Sequence, residues 1–281
     1  MPGYPGSINS PASRLLRAWA RLLVCVTVLL TGVSTAYAAP ADVAPTGVLR
    51  ATFLGSNPVQ GHVNPQTGEI TGVVADLVRE LARRLNVPFE IYPAANAGEI
   101  VARLNSGKSD IGFIAFDAQR GKEVDFSHSY ALMYNALVVR ADAPVQTTAE
   151  VDKAGLNVAA VRGQTQQIVL SAMMKQAHVM VLEKKPNQAE LEAMLGSKQI
   201  DAYGANRHDA ETVAEASSGK LRALPDNFLV VEQAIVTSKG QAAKMAELDR
   251  YIDEVRGGGF VQQSLDRTRI RGLAVATGTH R

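Results

Sequence analysis

A regular alternation of short apolar segments with amphipathic ones is the feature that most constrains the fold of this chain. In the first half, strands are predicted at residues 48–54, 88–92 and 111–115, with helices at 73–85 and 97–104 between them. Strands that alternate with helices in this way favour a mostly parallel sheet whose faces are covered by helices. The sequence therefore predicts an α/β fold.

The same alternation restarts in the second half, which predicts a second α/β unit. Strands are predicted at 137–140, 157–161, 179–182, 200–204 and 228–237, and helices after Gly163, at 188–195 and at 244–255. Residues 104–113 and 195–204 both run from a helix end through a lysine to an aspartate that opens a strand, which supports a repeat. Chance similarity of turn sequences is the alternative explanation. Two α/β lobes would form a cleft, and domain interfaces are favoured ligand sites.

The N-terminus has the pattern of an export signal. Three arginines precede an apolar run at residues 22–33, and the small residues Ala36 and Ala38 flank a tyrosine as in a cleavage site. A retained membrane anchor is the alternative, but the run is shorter than the ~20 residues that span a bilayer. We therefore expect residues 1–38 to be a signal peptide that is cleaved near Ala38, and the mature protein to be periplasmic.

Removal of the signal peptide changes the charge of the chain. The whole sequence has 29 basic and 27 acidic residues, whereas residues 39–281 have 26 basic and 27 acidic ones and a net charge of −1. The basic excess therefore belongs to the export signal, and no nucleic-acid partner is predicted. The single cysteine, Cys25, lies in the same segment, so we expect no disulfide in the mature chain.

The segment 104–130 contains a candidate anion site. A turn with Gly107 leads into the predicted strand 111–115, and Arg120 follows just past the C-terminal end of that strand. Ligands of open α/β sheets bind outside the carboxyl ends of the strands. A guanidinium at this position offers a planar pair of donors that matches a carboxylate. We therefore predict that Arg120 binds a small anion.

Four motifs in this order resemble those of family 3 periplasmic solute-binding proteins, the polar-amino-acid receptors of ABC importers. They are residues 72–77 (Gly-Val-Val-Ala-Asp-Leu), 106–110 (Ser-Gly-Lys-Ser-Asp), the segment around Arg120, and 124–130 (Val-Asp-Phe-Ser-His-Ser-Tyr). The resemblance extends over nearly the whole mature chain. It implies a type II periplasmic-binding-protein fold, in which two α/β lobes are joined by two hinge strands around a central cleft.

The resemblance also implies the limits of the lobes. Lobe 1 would comprise residues 47–139 plus 234–273, and lobe 2 residues 140–233. A small-residue leader at 39–46 would precede them, and a disordered tail at 274–281 would follow.

Six ligand-binding residues follow from the resemblance: Arg120, Ala115, Asn57, Gly163, Thr165 and Asn206. In the family, the arginine after the third strand holds the ligand's α-carboxylate, and this role falls on Arg120. An arginine that bridges to a surface acid is the alternative. Gly163 and Thr165 stand at a helix start, where backbone N–H groups favour anions. Thr165 is explained equally well as an ordinary first residue of a helix.

Two departures from the family pattern bear on the ligand. Family members have an acid for the ligand's α-ammonium where Asn206 stands in this sequence, and an ammonium buried without a charged partner is costly. Either the ligand lacks an α-ammonium, or another acid supplies the charge, for which Asp117 and Glu183 are the candidates. The aromatic residue that family members often place after the first strand is replaced by a segment that begins at Asn57.

The predicted function is that of a non-enzymatic receptor. The protein would be the periplasmic substrate-binding component of an ABC importer and would capture an amino acid or related small carboxylate by hinge closure. Its partner would be the membrane permease, and we expect a monomer without metal or cofactor.

An enzyme on the same fold, similar to cyclohexadienyl dehydratase, is the first alternative and needs an acid or base with a shifted pKa in the cleft. A ligand-sensing subunit of a signalling system is the second.

Overall fold

The computed structural model describes residues 40–278, together with Gly3. The predicted signal peptide therefore lies outside the described residues, Gly3 apart. All the helices and strands below belong to one compact unit of the chain, Ala38–Arg281. Within residues 40–278, every helix is too short or too polar to cross a membrane.

Helices and strands alternate along the described chain. The helices are α1 (Pro40–Val43), α2 (Val73–Leu85), α3 (Ala97–Asn105), α4 (Thr148–Val151), α5 (Thr165–Met173), α6 (Gln188–Gly196), α7 (Arg207–Ala216), α8 (Ala242–Gly257) and α9 (Phe260–Thr268), with a 3-10 turn at Arg120–Lys122. The strands are β1 (Leu49–Leu54), β2 (His62–Val63), β3 (Ile70–Thr71), β4 (Phe89–Ala94), β5 (Ile111–Ala115), β6 (Val124–Arg140), β7 (Asn157–Val161), β8 (His178–Leu182), β9 (Ala202–Asn206), β10 (Leu221–Ala223), β11 (Leu229–Ser238) and β12 (Leu273–Val275).

One mixed sheet runs through the molecule in the order β4-β1-β5-β11-β6-β9-β7-β8. Its two ends are parallel, since β1 pairs with β4 and β5, and β7 pairs with β8 and β9. The middle is formed by two long antiparallel strands, β6 with 17 residues and β11 with 10. The predicted α/β class is confirmed, and two strands connect its two halves.

Separate hydrophobic cores lie in the two halves of the sheet. In the first half, Phe53 of β1 and Leu77 of α2 pack in one buried cluster with Tyr251 of α8. In the second half, successive residues of β7 point to opposite faces, so Ala159 packs with the α6 side and Val158 with the α5 side. Because α3 packs in a further cluster on the other face of the first half, helices cover both faces of each half.

The first predicted boundary between the lobes needs correction. The sequence places it at residues 139/140, at the end of β6. In the structure, residues 136–139 already belong to the cores of the second half. The strand passes from one half to the other near Asn135, which pairs with Leu229 of β11 on one edge and with Asn206 of β9 on the other.

The predicted leader at 39–46 is wrong for its described part. Residues 40–43 form α1, and Val43 and Ala44 are buried in the core of the first half. Small residues and proline are typical of linkers, but small apolar side chains also fill narrow spaces beside a helix. This segment is therefore part of the folded unit.

The predicted disordered tail at 274–281 is likewise wrong for its described part. β12 pairs with β6, and Ala276 is buried and donates its backbone N–H to the carbonyl oxygen of Tyr130 at 3.3 Å. Arg256 donates to the carbonyl oxygen of Gly278 at 2.8 Å. Residues 279–281 lie outside the described part of the chain.

The ionised carboxylate of Glu80 on α2 is stabilised by two neighbouring arginines. Hydrogen bonds from Arg83 and Arg84, at 2.8 and 2.7 Å, lower the pKa of Glu80 from 4.5 to about 2. Because the folded-state pKa is lowered, the stabilisation is present above pH 4.5 and is lost as the pH falls toward 2. We expect Glu80→Gln to lower the unfolding free energy by about 0.5–1 kcal/mol at pH 7, and this difference to shrink as the solution is acidified.

Urea unfolding at several pH values measures this difference. The matched control is Glu69→Gln, which changes an exposed carboxylate that forms no ion pair with the described residues. If both variants lose the same stability at pH 7, the two arginines do not stabilise Glu80 as described.

Candidate functional site

A cavity of about 270 Å³ lies at the carboxyl ends of β1, β4, β5, β7 and β9, and side chains from both halves of the sheet line it. Met133 of β6 and Gln233 of β11 contribute from the long strands. All six sequence-predicted residues are among its lining: Arg120, Ala115, Asn57, Gly163, Thr165 and Asn206. The structure thus brings the predicted residues together, and their binding of a ligand stays a prediction.

Arg120 lies on the first-half wall, at the start of the 3-10 turn after β5. The side chain of Asp117 fixes this turn, because its Oδ1 accepts the backbone N–H groups of Gln119 and Arg120 at 3.0 Å each. The guanidinium donates from Nη1 to the carbonyl oxygen of Ala115 at 3.3 Å. No carboxylate of the described residues forms an ion pair with Arg120, so most of its N–H donors remain available to a ligand.

The start of α5 lies on the second-half wall. Gly163, with a φ of 73°, turns the chain after β7, and Gln164 stands before the helix without making a side-chain cap. The first N–H groups of a helix have no partner within the helix, and the helix dipole adds positive potential there. Gln166 ties this end of α5 to β6, because its Nε2 donates to Oδ1 of Asn135 at 2.8 Å. The N–H of Gly163 donates to Oε1 of Gln167 at 3.3 Å, whereas the first N–H groups of the helix itself have no side-chain cap from Gln164 and remain as donors in the lining.

Asn206 forms the N-cap of α7. Its Oδ1 accepts the backbone N–H of Asp209 at 2.8 Å, and its Nδ2 donates to Oδ2 of Asp209 at 2.9 Å. The same Oδ2 accepts a hydrogen bond from Nζ of Lys185 at 2.6 Å. Asp209 and Lys185 both line the cavity, and neither was predicted from the sequence. The spacing Asn-x-x-Asp before a helix is a capping signal that indicates Asp209.

The two acids suggested by the sequence are not in the lining. Asp117 is occupied in the turn before Arg120, and Glu183 forms an ion pair with Arg162 at 2.7 Å. Both members of that pair are well exposed, at 61% for Arg162 and 73% for Glu183. Neither acid therefore stands in the described lining, and Glu183 reaches it only through its ion pair with Arg162. The carboxylate in the described lining is Asp209.

Two further donors lie in the cavity. Burial, and secondly the charge of Asp209, raise the pKa of the Tyr203 phenol, so its hydroxyl stays protonated at neutral pH. Gln233 is 1% exposed, and its Oε1 accepts from Nε2 of Gln60 at 3.0 Å, whereas its own Nε2 has no partner among the described residues. An unpaired buried N–H costs about 1–3 kcal/mol. The lining is therefore rich in donors and suits a ligand with oxygen acceptors.

The described lining shows no arrangement for a metal. Within residues 40–278, no group of three histidine, cysteine or acidic side chains has a geometry that would hold a metal ion. Arg120 and the start of α5 offer donors, which suit an anion and not a cation.

Comparison with known proteins identifies the family. The family model of the bacterial extracellular solute-binding proteins, family 3, matches residues 49–267. The chain belongs to this family. The predicted resemblance is confirmed, and the cavity of this family 3 protein lies where its two α/β halves meet.

Two curated proteins show which relatives this family 3 protein has. The glutamine-binding protein of Geobacillus stearothermophilus is 29% identical over 147 residues, which are 50% of this chain and 54% of the relative. The virulence sensor protein BvgS of Bordetella pertussis is 28% identical over 184 residues, which are 64% of this chain and 14% of the sensor. The chain thus spans about half the length of the first relative and a small part of the second.

Solved structures show the fold. A mutant of ArgBP from T. maritima has a TM-score of 0.64 and 21% identity, and the match covers 82% of this chain and 98% of ArgBP. The ancestral amino-acid-binding protein AncCDT-1, described as a precursor of cyclohexadienyl dehydratase, has a TM-score of 0.64 and 20% identity over 81% of this chain and 97% of its own. The type II periplasmic-binding-protein fold predicted from the sequence is confirmed.

Proposed function

We propose that this protein is the substrate-binding component of an ABC importer and captures a small carboxylate in its cleft. The observation that carries the proposal is the pairing of two anion sites across one cavity. Arg120, without an acid partner in the described chain, lines one wall, and the uncapped start of α5 lines the other. A guanidinium and a helix N-terminus are both common sites for carboxylates.

Closure of the cleft is part of the proposal. The two halves are connected through β6 and β11, and bending of these strands near Asn135 and Leu229 would bring Arg120 and α5 onto the same ligand. A ligand that contacts both walls stabilises the closed state, since it binds that state more tightly than the open one. The membrane permease would then recognise and bind the closed form.

The proposal also includes the export of the protein and its monomeric state. Residues 1–38 would be removed near Ala38, and the mature protein would act in the periplasm as a monomer. The match to a family of extracellular solute-binding proteins supports this location.

A ligand screen on the mature protein tests the proposal. Amino acids, dicarboxylates and other small carboxylates are compared by thermal shift with an extrinsic dye, because the single tryptophan, Trp19, lies in the signal peptide. A ligand at 100 times its Kd should add about 2.7 kcal/mol to the unfolding free energy. Small-angle scattering should show a smaller radius of gyration with that ligand. If no carboxylate stabilises the protein or gives heat in calorimetry, the proposal is wrong.

The similarity to BvgS favours a sensory role as the second candidate function. Uptake of the labelled ligand by cells with and without the gene distinguishes the two. An importer component is indicated if uptake is lost on deletion and restored by the wild-type gene but not by the Arg120→Ala gene. A sensor is indicated if uptake is unchanged while transcription no longer responds to the ligand. Turnover of cyclic carboxylic acids by the purified protein would instead indicate an enzyme.

A further inference from the structure

We propose that the cleft selects a small dicarboxylate that lacks an α-amino group over the amino acid of the same skeleton. The inference rests on the proposed carboxylate-binding function and names the class of ligand. The first observation is the charge of the lining. Among the described residues it contains three cations, Arg120, Arg162 and Lys185, and one carboxylate, Asp209.

The carboxylate of the described lining is already engaged through one oxygen, Oδ2, by a cation. Asp209 is paired with Lys185 at 2.6 Å, and the same oxygen accepts from Asn206. An α-ammonium placed beside Asp209 would meet the ammonium of Lys185 within the same partly buried site. Like charges this close repel, and a buried ammonium without its own counter-ion is costly. A zwitterionic ligand is therefore disfavoured at this end of the cavity.

Asn206 cannot replace the missing acid. Its Oδ1, the acceptor that could face an ammonium, already accepts the N–H of Asp209 in the cap of α7. Its Nδ2 is a donor and points to the Asp209 carboxylate. The side chain is thus committed to the helix and offers no negative charge.

Other polar groups of the lining suit a second carboxylate. The buried Nε2 of Gln233 has no partner in the described chain, and the hydroxyl of Tyr203 makes no hydrogen bond to the described residues. Lys185 and Arg162 also lie on the second-half wall, where they are paired with Asp209 and Glu183. One carboxylate on Arg120 would balance its charge, and a second one would accept hydrogen bonds from the buried amide of Gln233 and the hydroxyl of Tyr203.

Calorimetry with matched pairs of ligands tests the inference on the mature protein. Succinate is compared with L-aspartate, and glutarate with L-glutamate, since each pair differs only in the α-amino group. We expect the dicarboxylate to bind at least tenfold more tightly in at least one pair. The inference is overturned if the amino acid of each pair binds as tightly as the dicarboxylate, or more tightly.

Two variants sharpen the test. Asn206→Asp keeps a good N-cap residue but replaces the Nδ2 donor 2.9 Å from Oδ2 of Asp209 with a second carboxylate oxygen. The two acids together should bind an α-ammonium and reverse the preference toward the amino acid, and circular dichroism checks that the variant is folded. Lys185→Gln should weaken dicarboxylate binding at least tenfold, while Lys184→Gln should not, since Lys184 is 80% exposed and pairs with Glu190 outside the lining. An unchanged preference in Asn206→Asp would contradict the inference.

The outcomes separate the inference from the proposed function. If amino acids bind, and bind more weakly to Arg120→Ala, the receptor function stands and only the ligand class is wrong. If neither member of any pair binds and the wider carboxylate screen is also negative, the proposed function itself fails.

Discussion

Replacement of Arg120 by alanine should lower the affinity for the carboxylate ligand by about 100-fold or more. Loss of one partner from a desolvated ion pair costs about 3 kcal/mol or more, and each 1.4 kcal/mol is tenfold in Kd. The fold should hardly change. The guanidinium makes one hydrogen bond to the described chain, to Ala115 at 3.3 Å, so we expect a loss of stability below about 1 kcal/mol.

Isothermal calorimetry with the best ligand of the screen measures this effect. Arg120→Lys should give an intermediate loss, because lysine keeps the charge but not the planar pair of donors. The matched control is Arg83→Ala, which removes an arginine that is 70% exposed on α2 and does not line the cavity. If Arg120→Ala binds the ligand as tightly as the wild type, Arg120 does not hold the carboxylate.

Hydrogen bonds between buried side-chain amides connect both walls of the cavity to the long strands β6 and β11. Gln60 in the first-half wall donates to Gln233 of β11, and Gln166 in the second-half wall donates to Asn135 of β6. Asn135 in turn donates to the carbonyl oxygen of Leu229 on β11 at 3.3 Å. These bonds lie where the strands pass between the halves, so they connect the proposed binding groups to the proposed hinge.

The elements that the sequence predicted best have a strong pattern and clear ends. The predicted helix 73–85 coincides with α2, because its apolar stripe is buried along its whole length, as at Leu77 and Leu81. β5 and β7 also coincide with their predictions, since each is a short apolar run bounded by turns. Local pattern and burial agree in these elements.

Two of the longer helices, α7 and α9, were not predicted from the sequence, for two different reasons. In α7, Ala210 is the one buried residue, so hydrophobic periodicity gives almost no signal, and the helix is specified instead by the cap at Asn206. α9 has a buried face with Val261 and Leu265, but it follows directly after α8, where Gly259 takes a φ of 76° and the glycine run predicts a helix end. The cap therefore specifies α7, whereas α9 is a short continuation beyond a glycine turn.

Part of the candidate site could also be predicted from the sequence. Arg120 and Gly163 follow predicted strands, so their place at the sheet edge follows from the topology. Lys185 and Asp209 form a pair over 24 residues, and Gln60 pairs with Gln233 over 173. Such pairs depend on how distant segments pack, and no local motif contains them. The ligand class rests on these pairs and therefore needed the structure.

Gly72→Ala should cause a large loss of stability, because Gly72 lies against the backbone of Gln60, a residue that lines the cavity. Gly72 precedes α2 with a φ of 109° and a ψ of −178°, a conformation that is essentially limited to glycine and costs other residues about 1–3 kcal/mol. A Cβ would also lie 2.8 Å from Cα of Gly61 and 3.2 Å from the carbonyl oxygen of Gln60. Both contacts are to backbone atoms, which cannot rotate away.

The expected loss is about 3 kcal/mol or more, because overpacking adds about 1–3 kcal/mol to the backbone strain. Urea unfolding measures it, and Gly68→Ala is the matched control: its φ is 73°, but nothing lies within 4 Å of the added Cβ, so strain alone should cost about 1–2 kcal/mol. Since a shift of Gln60 would also displace its bond to Gln233, Gly72→Ala should weaken ligand binding, whereas Gly68→Ala should leave it unchanged. If the two variants lose the same unfolding free energy, the close approach of Gly72 to Gly61 does not hold the segment of Gln60 in place.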